Sequence, residues 1–149
     1  ELGKRVAQLE ELQRLLLILQ GEIRCVRLTL PAVCELLAKD AKAPFQQFFW
    51  KVSEDLGKRT GQTAGEIWSR NLKEIQKLLF LTKKEQQDLE EFGQLLGRMD
   101  MPMQLSAIQF YQEKIMLSLA EAKAAADSRQ KLYRYLGALG GAALVLVIM

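Results

Sequence analysis

Histidine is absent from this chain of 149 residues, and cysteine occurs only twice, at Cys25 and Cys34. Without His, the commonest general base and the commonest metal ligand are both missing. The two cysteines stand nine residues apart with Pro31 between them, a spacing of neither a zinc site nor a CxxC redox motif. They read as two small buried hydrophobes in a reducing compartment, and the sequence leaves open whether they pair. Proline is limited to three positions and β-branched runs are few, which argues against strands. A basic stripe is lacking too: the net charge is +3 and the signs are mixed along the chain, so nothing offers a nucleic acid a continuous footprint. No catalytic residue, no metal site, no cofactor and no small-molecule substrate is read from the chain.

What is present is helical periodicity. Leu2, Val6, Leu9, Leu12, Leu16, Leu19 and Ile23 recur at spacings of three and four, and Leu15, Leu17 and Ile18 widen that face. This predicts a first helix embraced by others and ending near Val26. Thr29 with Pro31 starts a second helix, since a proline in the first turn forfeits no hydrogen bond. Pro44 repeats the device ahead of the stripe Phe45, Phe48, Phe49, Val52 and Leu56, with Gly61 expected to close that helix. Thr63 with Glu66, and Thr82 with Glu85, have capping-box spacing and open the fourth and fifth helices. Asp100 with Pro102 starts the sixth, whose inner face is Leu105, Ile108, Tyr111 or Gln112, Ile115 and Leu119. The expected fold class is all-α: a six-helix bundle over residues 1–120, a helical stalk over 121–134, and a membrane segment over 135–149.

Some stretches imitate chemistry. "GKRTGQTAG" has the glycines of a phosphate loop in the wrong order and sits at a helix-to-helix turn. "DLEE" offers acids that diverge around a helix, which is a solvated face. Gly93 and Gly97 interrupt an otherwise good helix at about 1 kcal/mol each relative to Ala, so a neighbouring helix packs closely there, and an internal neighbour is favoured over an external partner.

The last fifteen residues, "YLGALGGAALVLVIM", carry no charge. As helix they span about 22 Å, short of a hydrocarbon core of roughly 30 Å. Counting from Leu132, with Arg134 snorkelling, extends this to about 27 Å, enough for a thin bilayer. The large apolar side chains contribute roughly −3 kcal/mol to insertion, a marginal sum. Arg129, Lys131 and Arg134 form a positive flank, and Tyr133 and Tyr135 suit the headgroup zone, which places the bundle on the cytoplasmic side. Gly137 and Gly141 make a GxxxG packing face.

Four stretches in order, "LQGEIRCVRLTLPAVCELLA", "PFQQFFWKVSEDLGKRTGQTAGEIWSRNL", "FGQLLGRMDMPMQ" and "KLYRYLGALGGAALVLVIM", resemble the stage III sporulation protein AB family. That resemblance implies an inner-membrane protein on the mother-cell side of the channel linking mother cell and forespore. Family members are similar to the cytoplasmic six-helix domains of type II secretion F and type IV pilus platform proteins. The implied role is a non-enzymatic platform, with a secretion-type ATPase and the other channel subunits as partners. By the same resemblance Gly93, Gly97, Asp100 and Gln104 occupy the partner-binding motif before the last helix. Lys131, Tyr133, Leu136, Gly137, Gly140 and Gly141 occupy the entry to the membrane segment. The family also carries an N-terminal membrane segment, so a chain beginning at Glu1 is expected to have had a first anchor trimmed away; Lys4 and Arg5 would flank it. Met99, Met101, Pro102 and Met103 depart from the family pattern. The alternative reading is a tail-anchored regulator whose bundle receives an amphipathic partner helix in a groove.

Overall fold

Three threonines set helix starts by the same local rule. Thr29 accepts from the Ala32 N–H at 3.4 Å and Thr63 from the Glu66 N–H at 3.1 Å. Thr82 completes the reciprocal box: its hydroxyl accepts from the Glu85 N–H at 3.2 Å, while its own N–H donates to the Glu85 carboxylate at 2.9 Å. The computed structural model describes the backbone of residues 2–25, 29–98 and 101–148 and the side chains of 2–23, 29–97 and 104–137. Among these residues there are six α-helices and no strand: α1 Leu2–Cys25, α2 Leu30–Asp40, α3 Phe45–Gly57, α4 Ala64–Ile75, α5 Lys83–Arg98 and α6 Met101–Ile148. A short 3₁₀ turn, Gln76–Leu78, follows α4.

Each helix packs on the next, and α1 packs extensively on α6, so the six form a closed ring in chain order. Gln112 donates to Gln20 at 3.3 Å and Lys123 pairs with Glu10 at 3.6 Å, which fixes α1 and α6 as antiparallel. The stripe read on α1 is the core stripe: Leu9, Leu12, Leu16, Leu19 and Ile23 are buried, as is Leu15. Leu17 departs from expectation: it is 59% exposed, on the side of α1 turned away from the core.

The centre of the ring is aromatic. Trp68 lies edge-on to Phe48, Phe49 and Phe92 with ring centroids 4.9, 6.0 and 6.3 Å away, and Phe92 stacks at 4.6 Å on Tyr111. Three helices, α3, α4 and α5, are thereby joined through one indole, whose N–H donates to the Leu89 carbonyl at 3.1 Å, and Phe92 extends the cluster to α6. That position requires a glycine below it. A Cβ on Gly93 would fall 2.1 Å from the Trp68 ring, and one on Gly97 would fall 3.2 Å from the Ala64 side chain. The glycines of α5 are therefore the groove into which α4 settles.

Helix α3 ends at Gly57 rather than at Gly61. Arg59 turns to φ 48° and Gly61 to φ 84°, so the left-handed backbone begins before the glycine that seemed to mark the stop. At the other end of the chain, Ala122 is fully buried and Ala125 and Ala126 are half-buried, whereas every residue from Asp127 to Gly137 is exposed. The ring thus holds α6 as far as Ala126. Among the described residues no helix is long and apolar enough to cross a membrane. The expected membrane segment, 135–149, lies outside the described side chains from 138 onward.

Gly93→Ala is expected to lower stability by about 3 kcal/mol through overpacking against the indole. Gly21→Ala, in a helix with nothing within 4 Å, should raise it by up to about 1 kcal/mol. Thermal unfolding followed by circular dichroism checks both, and equal midpoints for the two variants would refute the close approach.

Candidate functional site

Because α1 and α6 are antiparallel, the start of α1 lies beside the point where α6 leaves the ring. This end of the bundle is tied together by α1's first turns. Arg5 donates to both Glu85 carboxylate oxygens, through Nη2 at 2.7 Å and Nε at 3.0 and 3.2 Å. Gln8 takes the strand-like segment after α4 in both directions: its amide donates to the Leu78 carbonyl at 2.9 Å, and its Oε1 accepts from the Phe80 N–H at 2.7 Å. Lys4 lies 5.0 Å above the Phe80 ring. A shallow apolar recess opens between Lys4, Ala7, Pro44, Gln47, Leu78 and Phe80. Glu11 secures the α2–α3 turn, accepting from the Lys42 N–H at 2.6 Å and from Arg14 at 2.7 Å, while Arg14 donates to the Asp40 carbonyl.

The residues expected to flank a membrane segment share this end. Arg129, Lys131, Tyr133, Arg134, Tyr135, Leu136 and Gly137 are all exposed on α6 beyond the ring. Gly140 and Gly141 belong to the same helix, and their surroundings lie outside the described residues.

The residues expected to form a partner motif lie at the opposite end and divide. Gly93 is buried under Trp68, and Gln104 is buried with its amide donating to the Leu96 carbonyl at 3.3 Å. Within the bundle Gly93 lies at the α4–α5 gap and Gln104 at the α5–α6 corner. Gly97 is exposed at the edge of the same seam, and Asp100 lies outside the described residues.

Three buried carboxylates hold the ring's turns, and each ionises more readily than an ordinary carboxyl. Burial alone would push the Glu11 and Glu85 carboxyls up. For Glu11 the hydrogen bonds from Arg14 and the Lys42 N–H outweigh it, and for Glu85 those from Arg5 and Thr82 do. Asp55 is lowered first by the Asn71 amide, at 3.0 Å, and then by Arg70 at 2.8 Å. Burial pushes the Cys34 thiol up to about 12, which favours the protonated thiol at neutral pH. Among the described residues no three His, Cys, Asp or Glu side chains converge as a metal would need.

Periodicity carried no signal for Arg5–Glu85, Gln8 or Glu11, because their partners are turns distant in sequence. Amide or acid side chains on the rim of an apolar stripe were the only hint.

A model of the stage III sporulation protein AB family matches residues 1–149. The chain belongs to that family. It is 30% identical over 146 residues to stage III sporulation protein AB of Bacillus subtilis (strain 168), a match covering 98% of this chain and 85% of that protein. A solved structure of stage III sporulation protein AB is similar with a TM-score of 0.74 at 28% identity, covering 85% of this chain and 98% of that one. The ring of helices is therefore this family's fold.

Glu11, Glu85 and Asp55 bind protons less readily folded than unfolded. Their stabilisation is complete above about pH 5 and drains away as pH falls through their folded values. The thermal midpoint should be level from pH 8 to about 5 and drop below about pH 4. Glu85→Gln should make that drop shallower, and an unchanged profile in this variant would count against the Arg5–Glu85 tie.

Proposed function

We propose that the chain is a membrane-held, non-enzymatic assembly component of the mother cell–forespore channel in sporulation, with its bundle on the cytoplasmic, mother-cell side. The observation that carries this reading is the continuity of α6. One helix of 48 residues begins in the core of the ring and runs on past Ala126, and the sequence beyond Tyr135 is wholly uncharged. Arg129, Lys131 and Arg134 stand at the junction, suited to anionic headgroups on the cytoplasmic face. Lys4 and Arg5 lie at the same end, so an upstream membrane segment would meet the bilayer beside α6. Two such segments would hold a bundle whose tail alone is marginally apolar.

In this reading Gly137, Gly140 and Gly141 pack against membrane helices of other channel subunits, where small side chains let backbones approach. A secretion-type ATPase is met at the far end of the bundle, where Gly97 and Asp100 remain once Gly93 and Gln104 are assigned to the interior. Family membership supports the sporulation setting.

Affinity purification of the full-length protein from sporulating cells in mild detergent should recover a secretion-type ATPase and channel subunits. Recovery of the protein alone, or with one unrelated soluble protein, would overturn the platform reading. Gly141→Leu should abolish co-purification of the membrane subunits while leaving the thermal midpoint unchanged, and normal co-purification in this variant would sink the helix-packing role.

A further inference from the structure

The segment joining α4 to α5 alternates in burial. Leu79 and Leu81 are buried and fasten it to the core, whereas Leu78 and Phe80 are 51 and 39% exposed. Lys77 precedes this pair and Lys83 and Lys84 follow it, all three exposed and none with an anionic partner among the described residues. The segment therefore offers water two large apolar side chains set among unpaired ammonium groups.

Its place in the fold is fixed. Gln94 bonded to Gly65 and Trp68 to Leu89 make α4 and α5 antiparallel, so their connection lies at an end of the bundle. Gln8 holds its backbone at Leu78 and Phe80, and Lys4 lies over the Phe80 ring, which assigns it to the end where α1 starts. Ala43 and Pro44 of the α2–α3 turn meet it there around a recess of about 440 Å³. The register of Gln20 on Gln112 and Glu10 on Lys123 sets Lys4 level with Ser128 and Arg129 of α6. Leu132 lies only about 5 Å further along that helix, and a headgroup layer is roughly 5–8 Å deep on each side of a bilayer.

The charge of this end favours an anionic surface. Beside the three lysines of the segment stand Arg129, Lys131 and Arg134 on α6, and Lys39 and Lys42 flank Asp40 at the α2–α3 corner. The other exposed acids nearby are Glu74, Glu121 and Asp127, while Glu85 is already held by Arg5. Cations outnumber these acids.

We propose that this end of the bundle lies against an anionic lipid surface, with Leu78 and Phe80 lowered among the headgroups and Lys77, Lys83 and Lys84 beside the lipid phosphates. The proposal rests on the membrane reading above and deepens it. A single helix would let the bundle swing about its exit, and a second lipid contact beside α6 fixes its tilt. An acidic protein would match the charge alone; the level of the segment with the start of the uncharged tail argues for lipid.

The test places the full-length protein in nanodiscs with brominated acyl chains, one set of anionic phosphatidylglycerol and one of zwitterionic phosphatidylcholine. Phe80→Trp supplies the reporter in a Trp50→Phe background, where buried Trp68 gives a constant signal. The introduced indole should be quenched in the anionic discs and far less in the zwitterionic ones. Lys77→Glu, Lys83→Glu and Lys84→Glu together should lower the quenching in anionic discs to the zwitterionic level, and they touch only exposed side chains. Equal quenching in the two lipids, or quenching that survives this charge reversal, would overturn the proposal. A chain that stays on the discs with its introduced indole unquenched would strike the lipid contact alone and leave the face to a protein partner. A chain that elutes free of both discs would strike the membrane reading and the proposal with it.

Discussion

The antiparallel pairing of α1 with α6 closes the ring, and the placement of everything functional follows from it. Five sequential contacts would leave an open arc with two bare edges. The sixth joins the two ends of the chain and buries both apolar stripes, Leu9 to Ile23 on one helix and Ile108 to Ala122 on the other. It also decides that the start of α1 and the departure of α6 share one end. Lys4 and Arg5 stand at the same end as Arg129 for that reason alone, although more than a hundred residues separate them.

Polar groups then do what the apolar stripes cannot, which is to fix the turns. Glu11 grips the α2–α3 corner, Gln8 and Arg5 grip the segment between α4 and α5, and Asp55 joins α3 to α4 through Asn71 and Arg70. Each of these side chains is held by partners on a different element, so each carries positional information that hydrophobic burial lacks. The aromatic centre works in the same direction: an indole locked over Gly93 and bonded to the Leu89 carbonyl admits one register of α4 on α5.

Helix starts were the most legible feature of the sequence, because a cap is a rule about four consecutive residues. Thr29, Thr63 and Thr82 cap as their spacing implies. The inner faces of α1, α3 and α6 were legible too, since periodicity alone orients them. What escaped the sequence is what depends on a neighbour. Leu17 belongs to the same apolar run as Leu15 and Leu16, yet it faces away from the core. Gly93 read as a close contact, and only the position of Trp68 shows that the contact is internal. Phe110, Met116 and Leu117 lie off the predicted inner face and are exposed. On α6, Ala122 is buried and every residue from Asp127 to Gly137 is exposed, a boundary that periodicity alone does not give.

The ring closure has a kinetic side. The two helices that complete it lie at opposite ends of the chain, so α1 is synthesised first and acquires its principal partner last. Until α6 is made, α1's apolar stripe lacks its principal partner, and the ring contacts of highest sequence separation come after the local ones. Such an order makes the final docking of α1 the entropically costly step of folding. It also leaves a long apolar helix waiting in the nascent chain, the kind of surface that chaperones attend.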